Sequence, residues 1–238
     1  MTAAPAEMRA ALRALADADR AAVLQKFFKT GPGEYGDGDR FLGLTVPQVR
    51  GLVRRFHPAD FDAIAAFVGS PFHEERLLAL LLLVERYRKG SEEERARAHR
   101  LYWKSLPHIN NWDLVDVTAE HVVGSHAVGR ARLLAWAASK NLWCRRIAIV
   151  STFYSIRRNR FDDTLAVAER LLRDPEDLLH KATGWMLREV GKRNQALLER
   201  FLRRHLRVMP RTMLRYAIER FPEAKRKAYL KGTVTSPS

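Results

Sequence analysis

The spacing of the apolar residues constrains the fold of this chain more than any other feature. These residues recur at intervals of three and four along most of the sequence and rarely alternate at two. Intervals of three and four place apolar side chains on one face of a helix, whereas a half-buried strand requires alternation. The sequence therefore predicts an all-α protein.

Cap and turn residues divide this pattern into helices. Thr45, with Pro47 in the first turn, marks one helix start, and Ser91 with Glu94 forms a capping box at another. Later starts are predicted near Asp162, Pro175, Pro210 and Pro222. The predicted helices cover residues 5–16, 19–29, 46–56, 60–68, 72–88, 92–105, 111–123, 127–138, 142–157, 162–173, 176–192, 195–208, 211–220 and 223–230.

Short helices joined by short loops, in pairs of about 35–45 residues, are typical of a HEAT-like helical-repeat solenoid. The same period separates Trp112 from Arg146 and Arg146 from Trp185. Because alternate helices of such a stack line one side, we expect these side chains on one concave, basic face. Such spacings also arise by chance in helical chains. No Pro, Gly or Ser linker divides the sequence, so we predict one domain over residues 1–238, with residues 232–238 disordered.

Positive charge is concentrated in the second half of the chain. The net charge is +15. Residues 140–231 hold 23 Lys and Arg against 10 Asp and Glu, whereas residues 1–139 hold 19 against 17. A clustered excess favours a polyanion, because each neutralised phosphate releases counterions. Double-stranded nucleic acid is the expected partner; a basic surface without a partner is the alternative.

Other features exclude several classes of protein. The single cysteine, Cys144, rules out an internal disulfide framework and is read as a buried small apolar group in a reducing compartment. The N-terminus has no apolar segment of a secretory signal. The longest apolar run, Leu77–Val84, is far shorter than the ~20 residues of a membrane span and predicts a helix buried on most sides. We expect a monomer in the bacterial cytoplasm, associated with the nucleoid and not with a membrane.

Four stretches carry a resemblance to a known family: FLGLTVPQVR at 41–50, NNWDLVD at 110–116, NLWCRRIAI at 141–149 and KATGWMLREVGK at 181–192. On these stretches the chain resembles the AlkD-like DNA alkylation-repair family, the HEAT-repeat DNA glycosylases. The resemblance implies hydrolysis of the N-glycosidic bond of cationic alkylated purines, such as 7-methylguanine and 3-methyladenine, in duplex DNA. The products would be a free base and an abasic site.

The resemblance also implies roles for individual residues. The acid of the site corresponds to Asp116, its two tryptophans to Trp112 and Trp185, and an arginine facing the DNA to Arg146. Since a cationic purine leaves without being protonated, one carboxylate is enough to stabilise the developing charge on the sugar or to orient a water. Trp112 and Asp116, at i and i+4, share a helix face. Two indoles around the sugar would attract its positive charge by ~0.5–2 kcal/mol each.

Each of these residues has a second interpretation. Without the family match, the core is the commoner place for Trp112 and Trp185. Asp113 is interpreted as a residue of the first turn of a helix, with Asn110 or Asn111 as the N-cap. The cations Arg146 and Arg188 are either solvated charges or phosphate ligands. We predict phosphate contacts for Arg145, Arg146, Lys181, Arg188 and Lys192.

The chain departs from the family pattern at three places. Asn111 stands where an aromatic residue precedes the tryptophan, and the Gly-rich stretch 29–39, read as a flexible connector, is longer than expected. Phe27 or Phe28 stands in place of a tyrosine. These departures keep a rival open: a DNA-binding protein that recognises distorted or branched DNA without catalysis. A scaffold for acidic proteins is a third alternative.

No cofactor is expected for either leading function. The eight histidines and the single cysteine show no spacing of paired zinc ligands, so no metal site is predicted.

Overall fold

A computed structural model describes residues 5–126 and 128–234 of the chain. The prediction of an all-α fold is confirmed: the described residues form helices and no β-strand, apart from one isolated bridge between Arg40 and Phe72. In the same residues, no helix is long and apolar enough to cross a membrane. The contacts divide the chain into two compact units, residues 1–122 and 123–238, which are described in turn. The single domain and the concave basic face stay predictions.

The first unit contains eight α-helices among its described residues. They are α1 (Pro5–Arg13), α2 (Ala18–Phe27), α3 (Val46–Phe56), α4 (Phe61–Val68), α5 (His73–Lys89), α6 (Glu92–Lys104), α7 (Trp112–Asp116) and α8 (Ala119–Val122). The centre of the unit is α5, which packs against α1, α3, α4, α6, α7 and α8. Its apolar run Leu77–Val84 is buried throughout, as the sequence predicts.

The second unit contains the remaining helices described. They are α9 (Arg130–Ala137), α10 (Leu142–Ser151), α11 (Phe153–Ile156), α12 (Asp162–Arg170), α13 (Asp177–Gly191), α14 (Gln195–His205), α15 (Arg211–Ala217) and α16 (Glu223–Lys231). Here α13 is central and packs against α10, α11, α12, α14 and α15. Cys144 is buried in α10, as predicted.

Most helix boundaries follow the predicted signals. The capping boxes of Thr45 with Gln48 and of Ser91 with Glu94 are both formed. The first residue of the helix predicted over 127–138 lies outside the described residues, and α9 begins at Arg130. Of the tail predicted to be disordered, residues 235–238 also lie outside them. Gly232 ends α16 in a left-handed conformation with φ 71°, a position that glycine occupies without strain.

Two predicted helices are broken by threonines. The helix predicted over 111–123 is interrupted at Thr118, whose hydroxyl donates to the carbonyl of Leu114 at 2.5 Å. The helix predicted over 142–157 is interrupted at Thr152, whose hydroxyl donates to the carbonyl of Ile149 at 2.7 Å. Threonine hydroxyls that bond back to the preceding turn weaken or bend a helix. As a result α7 is only five residues long.

Candidate functional site

Two predicted catalytic residues lie at the two ends of α7. Trp112 is its first residue and Asp116 its last, and both are half-buried. Asn111 caps the helix, and its side-chain oxygen accepts from the amide of Trp112 at 2.8 Å. This confirms the cap interpretation of Asn111, which is fully buried and offers no surface to a ligand. A helix of one turn is too short to be stable alone, so neighbouring groups must hold it.

The indole of Trp112 belongs to an aromatic patch, which is formed by Phe27, Phe28, Phe41 and Trp112. The ring of Phe28 stacks on Trp112 at 5.4 Å and 24°, and Phe27 meets Trp112 edge-on at 6.2 Å and 74°. Phe28 is buried, whereas Phe27 is 62% exposed. Such offset and edge contacts are the favoured arrangements of aromatic rings. Phe28 therefore orients the indole, and Phe27 adds an exposed apolar surface beside it.

A buried polar cluster, the His73 network, consists of Asp39, His73, Arg76, Asn110 and Asp113. His73 Nε2 lies 2.7 Å from Asp113 Oδ2, and Arg76 Nη2 lies 2.7 Å from Asp39 Oδ2. Asn110 donates to Asp39 at 2.7 Å and accepts from Arg76 at 3.1 Å. The imidazole of His73 also stacks on Phe28 and Phe41, at 5.1 and 4.7 Å. The network therefore joins the starts of α5 and α7 beneath the aromatic patch.

The charges of this network stabilise one another. Burial alone would lower the pKa of His73, but the charge and hydrogen bond of Asp113, together with the contact to Asp39, raise that pKa to about 9. Burial would raise the pKa of Asp39, but His73, Arg76 and Asn110 hold it below its usual value. Opposite charges within hydrogen-bond distance favour the ionised forms. At neutral pH His73 is therefore an imidazolium between two carboxylates.

The same end of α5 also holds the loop that precedes α3. The carboxylate of Glu74 accepts hydrogen bonds from the amides of Leu42, Gly43 and Leu44, at 2.8–3.1 Å. Gly43 has φ 88°, and a Cβ on it would lie 2.0 Å from the carbonyl of Asp17. Only glycine fits this close approach. The backbone amides of the FLGLT stretch thus bind the carboxylate of Glu74.

Sequence analysis missed the His73 network. The signal was present: the charged residues HEER at 73–76 directly precede the apolar run of α5, and all four are at most 3% exposed. A helix buried on most sides buries its first turn as well, so charged residues there need partners. The partners lie far along the chain and have no local pattern. Asp113 is one of them, and in the first turn of α7 it also accepts from the amide of Leu114.

In the second unit, α13 carries Lys181, Trp185 and Arg188 on one face, and Lys192, the residue that caps its C-terminus, continues the spacing of four, three and four. Trp185 is half-buried and meets Phe153 edge-on at 5.8 Å and 61°. The glycine before it, Gly184, lets α15 approach, because a Cβ there would lie 2.5 Å from the carbonyl of Met213. The GW pair of the sequence thus combines a close helix contact with a partly exposed indole.

The three cations of this face have acidic partners within the unit. Lys181 pairs with Asp177 at 2.7 Å and Lys192 with Glu189 at 2.6 Å. Arg188 pairs with Glu219 and is 18% exposed, whereas the two lysines are 43% and 40% exposed. Solvated lysines exchange partners at little cost, because exposed ion pairs contribute ~0–1 kcal/mol. Lys181 and Lys192 are therefore the accessible cations of this face.

Arg145 and Arg146 on α10 point to partners inside the unit. Arg145 forms a two-pronged pair with Asp174, at 2.6 and 3.3 Å, and its remaining nitrogen donates to the carbonyls of Ser139 and Lys140. Arg146 is 4% exposed and donates to the carbonyl of Leu178 at 2.5 Å. Guanidiniums engaged in this way have few donors left for phosphate. These contacts support the fold of the unit, and the predicted phosphate contacts of Arg145 and Arg146 stay predictions.

The predicted site residues thus fall into two groups. Trp112 and Asp116 lie together on α7 of the first unit. The second unit holds Lys181, Trp185 and Arg188 on α13, with Lys192 at the C-cap of the same helix. The first group places a carboxylate one helical turn from an indole, which can stabilise a cationic sugar. The second places an indole among cations, which suits an aromatic contact beside phosphates.

The Gly-rich stretch and the phenylalanines in the tyrosine position were also singled out in the sequence. The Gly-rich stretch, expected to be a flexible connector, consists of turns closed by hydrogen bonds, such as those from Gly31 to Glu34 and from Gly36 to Lys29. Of the two phenylalanines in the tyrosine position, Phe27 is the one at the surface. Within the described ranges, no group of three or more His, Cys, Asp or Glu residues is arranged to hold a metal ion.

Comparison with known proteins places these features in context. Residues 8–221 match the model of a family described as "DNA alkylation repair enzyme". No curated protein is significantly similar to the chain. Among solved structures, a "predicted DNA alkylation repair enzyme" from Enterococcus faecalis has a similar fold, with a TM-score of 0.70 and 19% sequence identity. That match covers 87% of this chain and 97% of the other.

Proposed function

Because the chain belongs to the DNA alkylation repair enzyme family, we propose that it is a monofunctional DNA glycosylase that removes cationic alkylated purines from duplex DNA. Its substrates would include 7-methylguanine and 3-methyladenine. The observation that supports this most is the pairing of Trp112 with Asp116 on a helix held in place by the His73 network. The predicted role of Trp185 as an indole of the site stays a prediction.

The proposed reaction replaces the glycosidic bond by a bond to water. The bond between the anomeric carbon and the purine nitrogen breaks, and its electron pair leaves with the base, whose positive charge is thereby neutralised. The oxygen of a water bonds to the anomeric carbon, and that water loses a proton to Asp116 or to solvent. The Asp116 carboxylate stabilises the oxocarbenium-like sugar while the bond is broken. A neutral purine lacks this leaving ability and would react far more slowly.

The test is the release of methylated bases from duplex DNA. The protein, in excess over duplex DNA that carries 7-methylguanine, should release the free base and leave alkali-labile abasic sites. Asp116→Asn should reduce release by about 10²–10³-fold, the usual effect of removing one electrostatic stabiliser. Asp62→Asn is the matched control, because its carboxylate is exposed on α4 and pairs with Arg97. Full release by Asp116→Asn would exclude the proposed role of the acid.

The rival function, binding of distorted or branched DNA without catalysis, gives a different result in the same assay. Asn111 favours it, because this residue is a buried cap where an aromatic surface residue is expected in the family pattern. The rival predicts salt-sensitive binding and no free base, even at high protein concentration. Salt-sensitive binding is expected from a basic surface in both cases, so base release alone separates the two functions.

A further inference from the structure

A basic groove lies in the first unit, next to α7. It has a volume of about 370 Å³ and is lined by α3, the C-terminal half of α5, and Val117 and His121, which follow α7 along the chain. Val117 is the neighbour of Asp116 in sequence. One residue of the lining thus directly follows the proposed catalytic acid along the chain.

Two arginines on α3 line this groove without an internal partner. Arg50 and Arg54 are one turn apart, on the same face of the helix, and both are exposed. Among the described residues, neither forms an ion pair, a hydrogen bond or an aromatic contact, in contrast to Arg55, which pairs with Glu7 at 3.0 Å. Their guanidinium donors are satisfied by solvent alone. They are therefore available to an anion.

The opposite wall adds charge from the end of α5. Arg88 and Lys89 share one carboxylate, Glu85, at 3.2 and 3.1 Å. Partial burial would raise the pKa of Glu85, but Lys89, Arg88 and His57 hold it below its usual value, so Glu85 stays ionised. Four permanent cations thus face one carboxylate in the groove. The half-buried His57 and His121 complete the lining.

We propose that this groove binds the sugar–phosphate backbone of the DNA strand beside the Trp112 and Asp116 site. This inference rests on the proposed function and assigns phosphate contacts to a part of the chain where the charge count gave no reason to expect them. Arg50 and Arg54 lie one turn apart, and each planar guanidinium can donate two parallel hydrogen bonds to the oxygens of one phosphate. Two arginines without an internal partner, in a groove that holds four cations and one carboxylate, favour a linear polyanion such as the phosphate backbone of DNA.

The experiment compares three variants of α3 in their binding to duplex DNA. Arg50→Ala/Arg54→Ala should bind duplex DNA about tenfold or more weakly at ~0.1 M salt. The slope of log K against log salt should fall by about 1.8, since each phosphate contact contributes about 0.9. Arg55→Ala, on the same helix but outside the groove, should keep the wild-type slope. Arg50→Lys/Arg54→Lys should keep the slope and lose part of the affinity, because lysine keeps the charge without the fork.

The outcomes separate this inference from the proposed function. If the double alanine variant binds like Arg55→Ala, at all salt concentrations, the groove does not hold DNA, whether or not the wild-type protein releases bases. If the double variant loses the predicted slope and the wild type releases no base, the groove assignment stands and the glycosylase proposal fails. Equal thermal unfolding midpoints of the variants establish that the binding difference is local.

Discussion

The two units hold their functional helices in different ways. In the first unit, α7 has one turn, and buried ions reaching it from α5 and from the segment before Phe41 fix its position. In the second, α13 has fifteen residues and packs through apolar side chains and Gly184 against its neighbours. A long helix can be fixed by packing along its length, whereas a single turn needs directional ties. The first unit should therefore be sensitive to charge changes and the second to changes in shape.

The largest effect is expected from removing the central carboxylate of the first unit. Asp39→Ala leaves Arg76 and His73 buried with one anion fewer, and should lower the free energy of unfolding by about 3–5 kcal/mol, the usual cost of breaking a buried pair. Urea unfolding measures this. Asp62→Ala, which removes an exposed acid paired with Arg97, should change stability by less than about 0.5 kcal/mol. Similar losses in both variants would contradict the importance of the buried network.

The matching change of shape in the second unit is Gly184→Ala. The added Cβ would lie 2.5 Å from Met213 O and from Tyr216 Cβ, so α13 and α15 must move apart, at a cost of about 3 kcal/mol. The control is Gly51→Ala in α3, where only the far end of Arg54 lies within contact at 3.9 Å. That variant should gain about 0.5–1 kcal/mol from helix propensity. A stable Gly184→Ala protein would show that the contact is not tight.

A similar effect, about 3 kcal/mol, is expected from pH. The folded-state pKa of His73, about 9, lies above the unfolded value of 6.5. The folded protein thus binds more protons between these values, so stability is fully present below pH ~6.5 and falls as pH rises towards 9. His73→Gln, which keeps a donor towards Asp113 but does not titrate, should flatten this slope. An unchanged slope in the variant would assign the pH dependence to other groups.

The smallest effect on stability is expected at the cations of α13. Lys181→Ala removes an exposed i,i+4 pair with Asp177 and should cost less than about 0.5 kcal/mol. If Lys181 contacts a phosphate, as the sequence predicts, the same variant lowers the salt slope of duplex binding by about 0.9. Lys231→Ala, at the end of α16, is a control for loss of one exposed charge. Equal slopes in both variants would remove Lys181 from the DNA interface.

Local patterns were sufficient to predict most of the fold. Periodicity and caps predicted α3 over 46–56 with both of its boundaries, and the capping boxes at Thr45 and Ser91 form as expected. The breaks at Thr118 and Thr152 were not predicted, because a threonine hydroxyl bonds to its preceding turn only in some tertiary settings. The local sequence thus predicts where a helix forms. Where a helix breaks also depends on residues distant in sequence, such as Tyr102, whose hydroxyl is hydrogen-bonded to that of Thr118.

The site was less accessible to sequence analysis. The spacing of Trp112 and Asp116 predicted that they share a helix face, and both lie on α7. The fate of Arg145 was not predictable, because its partner Asp174 lies 29 residues away and shares no pattern with it. His73 was missed for the same reason, since Asp113 lies 40 residues away. Charge counts also gave no sign of the groove beside Arg50, because a near-neutral segment can still concentrate cations on one wall.

The way α2 is attached to the first unit determines how often its part of the aromatic patch opens. This helix has no buried residue and is tied to the unit through polar links at the backbone, including those of Arg20 with Gly43 and Gln25 with Asp39. Segments with little buried apolar surface open locally at a free energy well below that of global unfolding. We therefore expect the backbone amides near Phe27, at the end of α2, to exchange faster than those near Trp112. Amide hydrogen exchange would then show that the part of the aromatic patch on α2 opens often, whereas the part on α7 stays closed.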